Sequence, residues 1–345
     1  MLIYPYQIDP NYVQDTPREY LNEFFKQNTL IFTEHTINHT ETELVNLFKN
    51  AGPVDQIIID ITHNSYDLTN PNLTNGYNIL SKLANTIILA DDFSLFYQPQ
   101  KNFIFFPVFF WGFSNRSGAW YTQVTFDCKS LNKTNLLCCF NKSPWWHRIY
   151  LFCALVEKSW FKKISYTFGT HAKYYDRFID ALADDEKDQF NKFKKLLPIV
   201  INESDLESQP DIGISHSAYA DCVVNLITEN TTDIGFITEK TCKPFMAHQI
   251  PILIGATNIS QFCEDIGFDM FSDIVPWKSW DGIDDVKERI TAIVNFLDNF
   301  INEDPVELYA KCQSRLETNK QYFHSTEFRN ILLKQLNEFV FNNIL

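Results

Sequence analysis

Residues 235–255, GFITEKTCKPFMAHQIPILIG, set a carboxylate beside an ammonium, Glu239-Lys240, between a loop and an apolar run. Thr238 is a candidate helix cap, which puts Glu239 and Lys240 where unsatisfied backbone N–H groups and the helix dipole favour an anion. The run IPILIG, opened at Pro251 and closed by Gly255, reads as a strand. Pro is tolerated at the first residue of a strand, and Gly at its carboxyl end lets backbone approach a ligand where open α/β sheets bind them. Pro244 complicates the helix between. With Thr238 as cap it falls past the first turn and removes a backbone hydrogen bond, so either the helix kinks or it starts nearer Lys243. In the second case Lys243 is a second cation beside Lys240.

Outward from this stretch, short runs rich in Ile, Val and Phe alternate with longer segments of helical period, the pattern of parallel α/β layers. The first half contains TLIF (29–32), DQIIIDI (55–61), TIILA (86–90) and FIFFPVFF (103–110). The second contains NLLCCF (135–140), KISYTF (163–168), CVVNLIT (222–228) and PILIG (251–255). Between them lies WGFSNRSGAWYTQVTFDCKSLNKT (111–134), polar and bearing Gly and Ser, which suits a linker. The expected organisation is an N-terminal domain at 1–130, a C-terminal domain at 131–320 and a terminal helix at 321–345. Residues 182–197 predict a surface helix with Leu182, Phe190, Phe193 and Leu197 on one face, ended by Pro198. From Ser325, a plausible cap, Phe328, Ile331, Leu332, Leu336, Phe339 and Val340 predict a terminal helix that packs back across the domain junction.

Bulk properties bound the function. The 345 residues are 45% apolar and 15% aromatic, enough to fill two cores. A formal net charge of −14 disfavours a broad phosphate-binding groove, so nucleic acid is a poor partner unless positive potential gathers locally. No run of 18 apolar residues spans a membrane, and MLIYPYQIDPNY has neither a basic nor an apolar leader region, so the expected location is cytoplasmic. The eight cysteines form no C-x-x-C pair and read as small core residues in a reducing compartment. No G-x-G occurs among the ten glycines, which removes dinucleotide fingerprints and P-loops, and there is no G-x-S-x-G elbow. The absence of D-x-D, the acidic pair with which many sugar transferases hold a cation, leaves no metal demanded.

The pattern Glu229-Asn230, then Thr238-Glu239-Lys240, a helix and an I-P-I-x-x-G strand resembles the donor-site core of α1,3/1,4-fucosyltransferases, a GT-B glycosyltransferase family, and related phage and bacterial transferases with T-E-K-T-x-K-P stretches. The resemblance implies two Rossmann-like α/β domains facing a central cleft, the first binding the acceptor and the second a nucleotide-sugar donor, a GDP- or UDP-sugar, with no other cofactor. It implies that Glu239 bonds sugar or ribose hydroxyls, that Lys240 sits on the diphosphate, and that Glu229 and Asn230 contact the donor. Phe236 stands where these enzymes often carry Tyr, so only packing or stacking remains there. His147-Arg148, at a helix start after NLLCCF, resembles the segment whose Arg neutralises the leaving diphosphate; a guanidinium fork suits growing charge.

An inverting displacement also needs a base. Asp60, ending an apolar strand with His63 three residues on, is the first candidate; Glu34-His35 and Asp91-Asp92 occupy comparable positions. The expected acceptor is a glycan or other hydroxyl. A transferase acting on hydroxymethylated DNA pyrimidines and a non-catalytic nucleotide-sugar-binding module are the alternatives. The Trp145-Trp146 pair reads as a packed loop rather than a sugar platform.

Overall fold

The structure, a computed structural model, describes residues 29–33, 37, 40–51, 53–61, 71–114, 133–169, 178–200, 221–335 and 338. Glu34, His35, His63, Phe339, Val340 and linker residues 115–132 lie outside these. Among the described residues, eight strands form two four-stranded parallel sheets, and no helix is long and apolar enough to cross a membrane. The described residues of Met1–Trp111, Ile234–Ile237 and Arg329–Leu345 make one compact unit, and those of Gly112–Asp233 and Thr238–Phe328 make the other.

In the first unit, β1 (Thr29–Thr33), β2 (Gln56–Asp60), β3 (Asn85–Ala90) and β4 (Phe103–Phe105) pair in that order. Leu30, Ile31, Phe32, Ile57, Ile58 and Ile59 are all fully buried, because crossover helices cover both faces of a parallel sheet. One of these, α1 (Glu41–Asn50), begins with a capping box in which Glu43 N–H donates to Thr40 Oγ1 and the Thr40 N–H donates to Glu43 Oε2. After α2 (Pro71–Leu80) and the single turn α3 (Ser94–Tyr97), the run 103–110 departs from the expected strand. Only Phe103–Phe105 pairs; Val108–Ser114 is helix α4. A continuous apolar run does not distinguish a buried strand from a buried helix, and Pro107 ends the ladder between them.

In the second unit, β5 (Asn135–Phe140), β6 (Ser165–Thr167), β7 (Cys222–Thr228) and β8 (Ile250–Ile254) take the order β6-β5-β7-β8. The chain moves to one side of β5 for β6 and to the other for β7 and β8. The carboxyl ends of β5 and β7 therefore flank a topological switch point, where open α/β sheets take ligands. β8 begins at Ile250, and Pro251, in register with Asn225, is tolerated because β8 is an edge strand. Around this sheet lie α5 (Trp146–Val156), α6 (Asp184–Phe193), α7 (Glu239–Met246), α8 (Ile259–Asp265), α9 (Val286–Phe300) and α10 (Pro305–Phe323), and α11 (Thr326–Leu332) follows in the chain.

The predicted 182–197 helix is α6 with a 3-10 turn at Lys194–Leu196, and Phe190 is its buried contact. Ser325 Oγ accepts from Phe328 N–H at the start of α11, as a cap should. The chain returns to the first unit from Arg329, and Gln335 there accepts from Phe105 N–H and donates to Leu95 O. The seven described cysteines are buried and free.

Residues 234–237, just ahead of α7, belong to the first unit and are held there by main chain. Phe93 N–H donates to Gly235 O at 3.0 Å, and Asp92 and Phe236 form an antiparallel bridge. A Cβ at Gly235 would lie 2.4 Å from Asp92 Oδ1 and 2.9 Å from Phe93 N. The second contact is backbone and cannot swing away. Gly235→Ala is therefore expected to destabilise the protein by about 1–3 kcal/mol through overpacking. A thermal melt superimposable on wild type would contradict this.

Candidate functional site

Thr238 caps α7, its side chain accepting from Lys240 N–H at 3.3 Å, so the helix starts at Glu239 and not nearer Lys243. Pro244 lies inside it, and the Lys240 carbonyl goes without the N–H that a non-proline residue there would donate. Packing compensates. Phe245 stacks on Phe268 at 3.9 Å between ring centroids, with Phe323 beyond, and anchors the helix from its other end.

Glu229 ties this first turn to the end of β7. Its N–H donates to Ile254 O, while its fully buried carboxylate accepts from Thr238 N–H at 3.1 Å and from the hydroxyls of Thr238 and Thr241. Thr238 and Thr241 are three residues apart on a helix and so face the same way. Both Glu229 oxygens are thus committed to the helix start. Gly255 serves the same joint, since the space of its missing Cβ is bounded by Ile259 Cδ1 at 2.7 Å and Glu229 Cγ at 3.4 Å.

Arg148 reaches the joint from the first turn of α5. It is 1% exposed, and Nη2 donates to Thr228 O (2.8 Å), Glu229 O (3.0 Å) and Asn230 Oδ1 (3.1 Å), with Nη1 toward Ser143 O at 3.3 Å. Burial lowers its pKa to about 10 against the supporting charges of Glu229 and Glu239. Beside it, His147 Nε2 donates to Glu229 O at 2.9 Å; a carbonyl only accepts, so Nε2 carries the proton. Burial first, then Arg148, depress the His147 pKa to about 3, and the ring is neutral.

Glu239 and Lys240 are not a solvated pair. Lys240 Nζ donates to Glu239 Oε1 at 2.7 Å with side chains 21% and 8% exposed. Burial alone would raise the Glu239 carboxyl, but Lys240 and the nearby, buried Lys243 outweigh it and hold the pKa below the usual value. Arg148, Lys240 and Lys243 set against Glu229 and Glu239 leave one net positive charge in a chain of net charge −14. Lys240 also sits at the positive end of a helix, where a cation costs about 0.3–1 kcal/mol in an exposed helix.

The second unit thus brings together Arg148, Glu229, Asn230, Glu239, Lys240, Lys243 and Gly255. Asp60, Asp91 and Phe236 belong to the first unit. Asp60 is fully buried at the end of β2, Asp91 is buried just past β3, and Phe236 is buried edge-on to Phe109 at 6.1 Å. Trp145 packs on Phe178 at 4.5 Å. Thr238 and Thr241 as hydrogen-bond donors to Glu229 were not anticipated, although T-E-K-T carries both. Among the described residues no group of three or more His, Cys, Asp or Glu side chains is placed to hold a metal ion.

No protein-family model and no curated protein matches this chain. Among solved structures, an alpha1,3-fucosyltransferase is similar at 11% identity and a TM-score of 0.39, over 89% of this chain and 80% of that one. A second, an alpha1,3-fucosyltransferase with GDP-fucose, gives 10% identity and a TM-score of 0.35 over 84% and 90%. Both likenesses are distant.

Proposed function

We propose that the chain is a glycosyltransferase that moves a sugar from a nucleotide-sugar donor, a GDP- or UDP-sugar, to a hydroxyl acceptor, with inversion and without a metal. The observation that carries this reading is the placement of Lys240 at the start of α7 beside the switch point of the second sheet, with the buried Lys243 acting on the same Glu239 carboxylate. An anion is what such an end of a helix stabilises. The T-E-K resemblance adds the diphosphate.

In this reading Lys240, with Lys243 behind it, takes the diphosphate, and Glu239 accepts from donor hydroxyls once Lys240 turns to phosphate. Arg148 fixes the side chain of Asn230, which offers its remaining amide hydrogens to the donor, and adds positive charge from below. The acceptor oxygen attacks the anomeric carbon while the bond from that carbon to the phosphate oxygen breaks. The electron pair leaves with the nucleoside diphosphate, where cations stabilise the growing charge, and the acceptor proton passes to a carboxylate, for which Asp60 is our candidate.

Thermal-shift measurements with nucleotides and nucleotide sugars, with and without Mg²⁺, test the proposal. At a ligand concentration 100 times Kd, stabilisation of about 2.7 kcal/mol is expected, a shift of several degrees. If no nucleotide raises Tm, the reading fails. A nucleotide sugar that stabilises the protein but is neither transferred nor hydrolysed would instead favour the non-catalytic binding module.

A further inference from the structure

Another cation reaches the same end of the second sheet, from α9. This helix runs alongside α5 in the same direction, since Tyr150 Oη meets Thr291 Oγ1 at 3.4 Å near both starts and Lys158 Nζ meets Asp298 Oδ2 at 2.6 Å further on. Arg289, in the first turns of α9, accordingly lies near His147 in the first turn of α5, whose protonation it opposes after burial and Arg148. Arg289 is 2% exposed, and neither Nε nor Nη2 has a hydrogen-bond partner. Buried donors left unspent are rare, and each costs free energy unless something accepts from it.

The surrounding charge narrows what that acceptor is. The acidic groups acting on Arg289 are Asp281, Asp284, Asp233 and Asp285. Two of them are already committed: Asp281 accepts from Ser260 N–H and Gln261 N–H, and Asp285 from Lys287 N–H and Glu288 N–H. Asp233, in the loop that follows Asn230, is exposed. A phosphate would be repelled by so many carboxylates. An uncharged, planar acceptor would not, and the rigid fork of a guanidinium matches one. Nucleobases carry such carbonyl and ring-nitrogen edges.

We propose that Arg289 binds the nucleobase of the donor through Nε–H and Nη2–H, leaving the diphosphate to Lys240 and Lys243; this rests on reading the site as one for a nucleotide sugar. Calorimetric titration of GDP, UDP and pyrophosphate into wild type, Arg289→Met, Arg289→Lys and Lys240→Met tests it. Arg289→Met is expected to weaken the preferred nucleoside diphosphate by about tenfold or more, as loss of a charge-assisted hydrogen bond does, and to leave pyrophosphate unchanged. Arg289→Lys, which keeps the charge but not the fork, should recover little. Lys240→Met should weaken all the ligands.

Unchanged nucleoside diphosphate affinity in Arg289→Met, or equal loss for pyrophosphate, overturns this inference alone. A wild type that binds neither nucleoside diphosphate nor pyrophosphate overturns the site reading and this inference with it. Should the Met variant fail to fold, a crystal structure of wild type with the bound nucleoside diphosphate decides: the base edge is expected within hydrogen-bond distance of Nε or Nη2, and a base seated elsewhere refutes the assignment.

Discussion

Lys240→Met is expected to lower kcat/KM for nucleotide-sugar transfer by about 100- to 1,000-fold, the cost of losing one donor aimed at charge that develops in the transition state. A cation at the second position of α7 opposes the helix dipole, so local stability does not explain it. Lys240 is kept there by Glu239, 2.7 Å away, and that pair has a pH signature. Burial would raise the Glu239 carboxyl, and the lysines hold it lower instead. A depressed folded-state pKa contributes stability above the unfolded value and loses it as pH falls through the folded value. Without Lys240 the cost of burying the Glu239 carboxylate is less opposed, so the variant should melt below wild type at neutral pH, with the gap closing in acid once Glu239 is protonated in both. Lys240→Arg should restore part of kcat/KM. An unchanged kcat/KM in Lys240→Met would remove Lys240 from the site.

The strands were legible because strands buried on both faces are continuous apolar runs, and seven of the eight expected runs hold their strand with edges moved by a residue or two. At FIFFPVFF the same logic overreached, because apolar content alone does not separate β4 from α4. The long helices α9 and α10 were not singled out, although Asp285-Val-Lys-Glu288 and Asp304-Pro-Val-Glu307 each announce a capped start. The apolar stripe of α9, Val286, Ile290, Ile293, Val294, Leu297 and Phe300, is regular and was legible, whereas that of α10 includes Cys312 and Asn319 and is weaker. At the site, Glu239 and Lys240 were legible as a local pattern. At Glu229, sequence does not show that the eight-residue segment 230–237 brings Thr238 back onto its carboxylate. Arg289 has no local signal at all: it is one charge on an amphipathic helix, and its burial with two unspent donors, Nε and Nη2, shows only in the structure.

Glu229→Ala is expected to be the most destabilising single change at the site. Three donors, Thr238 N–H and the hydroxyls of Thr238 and Thr241, lose their acceptor together in a fully buried place. The buried, charged Arg148 also loses a partner, since Glu229 is the foremost charge supporting it against burial. Removing one member of a buried, hydrogen-bonded charge network typically costs about 3–5 kcal/mol. For a chain this size that corresponds to a fall in Tm of roughly 4–7 °C. Glu229→Gln should be milder, because its remaining oxygen still serves Thr238 N–H and the threonine hydroxyls are able to turn and accept from the amide. Nucleotide binding measured below the melting transition should weaken in the Ala variant, since the turn that presents Lys240 is no longer tied to β7. The contrast with Lys240→Met separates the two roles: loss of the strut lowers Tm at every pH where the protein folds, whereas loss of the cation lowers turnover with only a small, pH-dependent change in melting. Equal Tm in Glu229→Ala and wild type would mean that the helix start holds without its carboxylate, and the joint described here would have to be abandoned.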